Sequence, residues 1–389
     1  MARTYDIVLF GASGFTGALT AAYLAKTAGP EVRWALAGRD RAKLERLGLD
    51  VPILIADATD PASLAAIARA TRVVVTTVGP YIRYGEPLVA ACAAAGTHYL
   101  DLTGEAEFVD RMYVSHHRQA TATGAKLVHA CGFDSIPYDL GVLFTVDRLP
   151  EHVPLKVSGF LRSEMRASGG TLASGMTIVS RPLQLLEAAA RRRAAEPPPP
   201  GRRVSSLPGG LRYVGGWALP MPSLDPLIVG RSARLLDRYG PDFTYRQYYA
   251  VKTLPAALAV AAGAGTMAAL AQIPPVRDWM AGRVKPGDGP TPEQRARNWF
   301  KVTILGEGGG QRVVTEVAGG DPGYDETAKM LGESALCLAF DDVPEIAGQV
   351  TTASAMGRPL IERLRRAGIT FGTRGEGTGP ASPSVRESP

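Results

Sequence analysis

A chain of 389 residues with 46% hydrophobic and 21% charged side chains can build two folded domains, and that balance excludes a disordered or low-complexity protein. The formal net charge of +6 fits an anionic cofactor or substrate, but it is spread too diffusely for a nucleic-acid binder. Three widely spaced cysteines, Cys92, Cys131 and Cys337, exclude a disulfide framework or metal cluster and point to a reducing cytoplasm, and no secretory leader is expected before the first predicted strand.

That strand is the apolar run Ile7 to Phe10, followed by Gly11, Gly14 and Gly17 and then by an Ala/Leu-rich helix from Ala18. Strand, glycine turn and helix form the context of a dinucleotide fingerprint, here spaced G-x-x-G-x-x-G. Gly11 allows the sharp turn, Gly14 lets backbone approach a pyrophosphate, and Gly17 lets the helix pack on the sheet. Ser13 and Thr16 add hydroxyls at a helix start that attracts anions, and Phe15 lies in the same run. All six are candidate cofactor contacts.

Val32 to Ala37 is the second predicted strand, ending at Gly38-Arg39-Asp40. Where NAD enzymes place an acid on the ribose, Arg39 offers a guanidinium for a 2′-phosphate, with Lys43 adding charge, so NADP(H) is favoured over NAD. The third strand, Ile53 to Ala56, ends at Asp57, which reaches adenine or closes a turn; Asp60 should cap the helix from Pro61. The fourth, Val73 to Val78, ends in Gly79-Pro80-Tyr81 near the nicotinamide. The fifth, His98 to Leu102, leads to Gly104 and Glu105, and the sixth, Lys126 to Ala130, leads to Gly132-Phe133-Asp134. His98 and His129 read as core histidines, His116 and His117 as solvated ones. This alternation predicts an α/β fold, a Rossmann-type doubly wound parallel sheet over residues 1–136.

Residues 137–320 change rhythm. A strand at Val153 to Arg162, a glycine-rich stretch at 169–179, a helix from Pro182, an exposed proline run at 197–201 and a hairpin around Gly306 to Gly310 predict an α+β domain with a mostly antiparallel sheet for substrate and dimerisation. Leu254 to Ile273 is uncharged for twenty residues and reads as a buried or interfacial helix more than a membrane span. Helices at Asp325 to Phe340 and Ala353 to Ala367 occupy a third section, 321–371, before a disordered tail, 372–389.

In order along the chain, Gly11-Ala12-Ser13-Gly14-Phe15-Thr16-Gly17, Ala37-Gly38-Arg39, Val78-Gly79-Pro80-Tyr81, Tyr99-Leu100-Asp101-Leu102-Thr103-Gly104-Glu105 and Gly132-Phe133-Asp134-Ser135-Ile136-Pro137 resemble the saccharopine dehydrogenase-like oxidoreductases. Within them the chain is similar to the trans-acting enoyl reductases of mycobacterial lipid synthesis, a resemblance that extends to about residue 371. It implies a substrate domain after the nucleotide domain, late helices returning to the first domain, a homodimer, and a place beside polyketide synthases that lack a working enoyl reductase module.

For an acyl thioester or carrier-bound polyketide, hydride goes to the β-carbon, a donor holds the enolate oxygen and a proton reaches the α-carbon. Tyr81 and Tyr138 are the candidate catalytic residues because each follows a strand tip near the nicotinamide. Asp134 and Ser135 are expected to shape the adjoining loop, and Glu105 to hold a loop or helix start. No nucleophile elbow, P-loop or metal-ligand spacing is present. Two alternatives stand beside the enoyl reductase. One is an amino-acid imine reductase, whose carboxylates would need Arg162, Arg166, Arg231 and Arg246. The other is a non-catalytic NADP(H)-sensing lipid-surface protein. The expected location is cytoplasmic, with possible peripheral membrane contact.

Overall fold

Runs of Val, Ile, Leu and Ala with few polar interruptions form the buried strands of a parallel sheet. In the computed structural model, which describes residues 3–164, 181–206, 209–213, 216–221, 223–273, 276 and 289–374, these are β1 (Tyr5–Phe10), β2 (Trp34–Gly38), β3 (Ile53–Ile55), β4 (Thr71–Thr76), β5 (His98–Leu100) and β6 (Lys126–Val128). β1 is central: Val8 is in register with Ala35 of β2 on one side and Val74 of β4 on the other. The order β6-β5-β4-β1-β2-β3 reverses direction between β1 and β4, where ligands bind beyond the carboxyl ends of the strands.

The second sheet contains β7 (Leu155–Glu164), β8 (Arg203–Ser205), β9 (Arg212–Tyr213), β10 (Trp217–Pro220), β11 (Asp242–Val251), β12 (Trp299–Gly308) and β13 (Gln311–Gly319). It is mixed but mostly antiparallel: β11 runs parallel to β7 and β8, while β12 runs antiparallel to β7 and β13. The chain then supplies one edge to each sheet. β14 (Gly348–Val350) joins the first sheet parallel to β6, and β15 (Thr370–Thr373) joins the second antiparallel to β13.

The helix Ile136–Val146 packs under the second sheet and every residue of it is buried. Gly141 makes this contact close, since a Cβ there would sit 2.5 Å from Ile304 Cδ1. On the same helix Asp139 accepts the Thr352 hydroxyl at 2.7 Å and the Ala353 N–H at 2.8 Å. A late helix, Asp325–Phe340, lies against Phe15–Thr27, where Tyr23 donates to Glu333 at 2.6 Å.

Three expectations change. The helix expected at Ala353 to Ala367 is two, Thr352–Ala355 and Gly357–Arg366, because Gly357 takes a left-handed φ of 51° that breaks the helical path. Gly372 and Thr373 belong to β15 rather than to a disordered tail; residues 375–389, with the stretch 169–179, lie outside the described residues. Leu254–Ala271 is a helix, but it is not a buried one.

Candidate cofactor and active site

The turn after β1 depends on its glycines. Gly11 has φ of 89°, and a Cβ there would lie 2.6 Å from Val78 Cγ2. A Cβ on Gly17 would collide with the Gly11 carbonyl. Gly14 is the N-cap of the helix Phe15–Thr27, and no side chain caps that end. Ser13 and Gly14 are exposed, so the first helical N–H groups face outward where an anion is favoured. Thr77, which sequence reasoning missed, donates to the Gly11 carbonyl at 3.1 Å and ties the tip of β4 to this turn. Thr16 is half-buried at the helix start. Phe15 turns toward protein: its ring meets Tyr324 edge-on at 4.8 Å, with the Arg295 guanidinium 5.6 Å from its centre. These residues fit a dinucleotide.

Arg39 is exposed at the end of β2. The neighbouring Asp40 is committed elsewhere, since its carboxylate accepts the Lys43 N–H at 3.1 Å and caps a helix, with Lys43 Nζ 3.9 Å away. Lys43 is thus paired with Asp40, and Arg39 remains the exposed cation at the end of β2. Asp57 closes a turn rather than facing adenine: it accepts from the Thr59 hydroxyl at 2.7 Å and N–H at 2.8 Å. Those bonds hold its carboxyl below the ordinary carboxylate range, and Arg39 adds to the effect. Asp60 caps the helix from Pro61 as expected.

Beyond β4, Gly79 and Pro80 form a loop through a cis peptide bond, and Pro80 is the N-cap of the short helix Tyr81–Tyr84. Glu105 accepts the N–H groups of Tyr81 and Ile82 at 3.0 and 2.8 Å, the helix-holding role expected of it. Asp101 binds the two following tips together. It accepts the N–H groups of Thr103 and Ala130 and meets His129 Nδ1 at 2.6 Å. Ala130 has φ of 59°, a strained conformation for a residue with a Cβ that this carboxylate helps hold.

Gly132 and Phe133 point into protein. A Cβ on Gly132 would lie 2.8 Å from Leu102 Cδ2, and Phe133 donates its N–H to Thr327 while its ring packs on Phe300 and Tyr138. Asp134, the next residue, turns outward and is solvent-accessible. It lies beyond the carboxyl ends of β5 and β6, the side of such a sheet where ligands bind, with its Oδ2 3.5 Å from where a Cβ on Gly104 would be. Enclosure by protein on the remaining sides raises its carboxyl to about 6. Ser135 faces the other way and donates to Asp225, a buried carboxyl that also accepts from Ser223 and Gln247 at 2.6 Å each. Burial, and to a lesser degree the charge of Asp134, raises Asp225 to about 7. Sequence reasoning missed Asp225, which is brought here from the start of a helix in the other half of the chain.

The two candidate tyrosines do not present free donors on that side of the sheet. The Tyr81 hydroxyl donates to the Thr76 carbonyl at 3.1 Å and accepts the Leu102 N–H at 3.2 Å. Tyr138 is fully buried, and its hydroxyl has no hydrogen-bond partner among the described residues. Three of the four arginines that an imine reductase would need lie among the described residues. Arg162 and Arg246 are exposed on strands, Arg231 is buried against Gln349 at 2.5 Å, and Arg166 lies outside the described residues. His98 is half-buried, and burial drops its imidazole to about 4. His116 and His117 are not solvated as expected: His117 stacks on Tyr113 and accepts the Gln349 N–H at 3.0 Å, and His116 is half-buried 3.5 Å from Glu86.

Residues 7–128 match the family model for the saccharopine dehydrogenase NADP binding domain. The chain is 37% identical to the trans-acting enoyl reductase of Mycobacterium ulcerans over 94% of this chain and 97% of that one, and 36% identical to that of Mycobacterium bovis over 95% and 98%. A Mycobacterium tuberculosis protein that carries the same name provisionally is 41% identical over 95% and 98%. Among solved structures the chain is similar to apo saccharopine dehydrogenase (L-Glu forming) from Saccharomyces cerevisiae. The TM-score is 0.55 with 11% identity over 95% of this chain and 99% of that one, a likeness of fold alone.

Proposed function

The chain belongs to the trans-acting enoyl reductase family of saccharopine dehydrogenase-like oxidoreductases, and on that premise we propose that it reduces the carbon–carbon double bond of an acyl thioester with NADPH. The observation that carries this reading is the full-length identity to relatives of that name, joined to an N-terminal NADP-binding domain. Arg231 is buried against Gln349, which weighs against an amino-acid substrate with several carboxylates. The substrate arrives as a long-chain or polyketide thioester delivered by a separate synthase, and the enzyme works as a homodimer.

Gly11, Ser13, Gly14, Thr16 and Gly17 would hold the pyrophosphate, Arg39 and Lys43 the 2′-phosphate, and Gly79, Pro80 and Gly104 the nicotinamide half. When bound, NADPH supplies the hydride for the β-carbon. Asp134 is the solvent-accessible acid beyond the strand ends; its carboxyl gives the proton to the α-carbon and is reprotonated from solvent. Phe133 and Phe300 keep water out on the protein side.

The test is NADPH oxidation by the purified chain on a long-chain 2-enoyl thioester, offered as the coenzyme A ester and on an acyl carrier protein, with NADH in parallel. Oxidation with NADPH and little with NADH supports the reading. Absence of turnover on both carriers, with NADPH binding intact, overturns it.

A further inference from the structure

Cofactor and catalysis leave one conspicuous element without a role. The helix Leu254–Ala271 is about 27 Å long at 1.5 Å per residue and contains no charged side chain. Of its described side chains Ala257 alone is buried. Leu258 is 60% exposed and Val260 is 42% exposed. Two residues apart on a helix, they occupy opposite faces. At Gly263 and Gly265 a Cβ would meet nothing within 4 Å. A surface helix of a water-soluble protein is polar on the side away from its core. This one has no polar side, so a protein partner on one face would still leave Leu258 or Val260 in water.

The neighbouring strands carry an excess of positive charge. In β9, β10, β11 and the helix the acidic residue is Asp242, at the start of β11, and it is paired with Arg203 at 3.3 Å. These elements and the turn after β11 contain Arg212, Arg246 and Lys252, all exposed, and none of the three is ion-paired to a described residue. Arg212 lies over the Tyr248 ring at 5.9 Å, next to Leu211, which is 51% exposed. A helix apolar all round, carried on strands whose acid is already paired and whose exposed Arg212, Arg246 and Lys252 are not ion-paired to described residues, matches the boundary between anionic headgroups and acyl chains. Among the described residues no helix is long and apolar enough to cross a membrane.

We propose that Leu254–Ala271 anchors the protein to an anionic lipid surface, lying within one leaflet while Arg212, Arg246 and Lys252 meet the headgroups. This goes beyond the reductase reading and does not depend on it, because its test reads binding and not turnover.

The test is flotation of the full chain with phosphatidylcholine vesicles, with and without a minority of phosphatidylglycerol. The wild type floats with the anionic vesicles, less so at high salt. The double variant Leu258→Glu with Val260→Glu binds at least about tenfold more weakly. Both positions are exposed, so its melting temperature and NADPH affinity match the wild type. Lys252→Glu weakens binding to the anionic vesicles alone. A wild type that stays with the unbound protein on both vesicles overturns the proposal, as does a double variant that floats equally well. A chain that ignores vesicles but dimerises, and turns monomeric in the double variant, also overturns it and assigns the helix to a subunit interface.

Discussion

The Glu105 carboxylate at the tip of β5 holds the backbone N–H of Tyr81 at 3.0 Å, together with that of Ile82. One side chain thus fixes the start of the short helix that follows Gly79 and Pro80. Glu105→Ala leaves both donors unsatisfied in a mostly buried setting. The expected cost is on the order of 1–3 kcal/mol in chemical unfolding, with a weaker NADPH affinity because the loop loses its anchor. Urea unfolding and a fluorescence titration with NADPH measure the two effects on one sample.

Arg39→Ala removes the exposed guanidinium at the end of β2. A charge-assisted contact to phosphate contributes roughly 1.5–3 kcal/mol, so the KM for NADPH should rise about tenfold to a hundredfold while that for NADH hardly changes. The ratio of the two values reads the 2′-phosphate contact directly. A variant that keeps its preference places the discrimination elsewhere.

Gly17→Ala drives a methyl group into the Gly11 carbonyl and the Thr77 hydroxyl. Backbone must move to relieve it, which costs typically about 1–3 kcal/mol and displaces the turn that would receive the pyrophosphate. Loss of NADPH binding in a chain that still folds, measured by calorimetry and circular dichroism, is the expected result.

Asp134→Asn removes the acid beyond β5 and β6 and keeps the size of the side chain. General acid catalysis contributes typically about a hundredfold to ten-thousandfold, so kcat should fall within that range while NADPH affinity holds. In the wild type kcat should decline as pH rises above about 6, where the carboxyl ionises; the variant should lack that limb. Asp134→Glu restores part of the rate. An unchanged kcat and pH profile in Asp134→Asn removes Asp134 from the chemistry.

Stability should also depend on pH. Asp139 is raised to about 6 and Asp225 to about 7 by burial, so what they contribute is complete below the ordinary carboxylate range and is lost as pH rises through 6 and 7. Asp6 and Asp341, held low by arginine partners despite burial, work the opposite way and lose their contribution under strong acid. The melting temperature should therefore be higher near pH 5 than at pH 8. Asp225→Asn should raise stability at pH 8 by on the order of 1–3 kcal/mol and flatten the slope. Its amide oxygen can take Ser223 and Gln247, and its NH2 can donate to Ser135.

The first sheet was legible because its strands are uninterrupted apolar runs and its glycines follow one of them directly. The glycine turn after β1 and the place of Arg39 at the end of β2 came from that pattern. The second sheet was harder. β11, Asp-Phe-Thr-Tyr-Arg-Gln-Tyr-Tyr-Ala-Val, mixes polar and aromatic residues because it pairs on both sides while only part of it is buried. β14 has three residues and no periodicity to detect. Asp225 was invisible because its partners Ser135, Ser223 and Gln247 come together only in space. The burial of the two tyrosines was not legible for a related reason: a residue just past a strand tip can turn into the core as easily as out of it, and Tyr81 and Tyr138 turn in.

The final stretch of the chain puts β14 on the edge of the first sheet and β15 on the edge of the second, after a helix at Asp325–Phe340 that covers Phe15–Thr27. The nucleotide fold thus begins with β1 and is finished by β14 and the helix Asp325–Phe340, from the far side of the second sheet in sequence. Residues 1–136, released or expressed alone, lack the cover over their first helix and one edge strand. Such a fragment would expose the apolar cover site of its first helix and the free edge of β6, and would be prone to association.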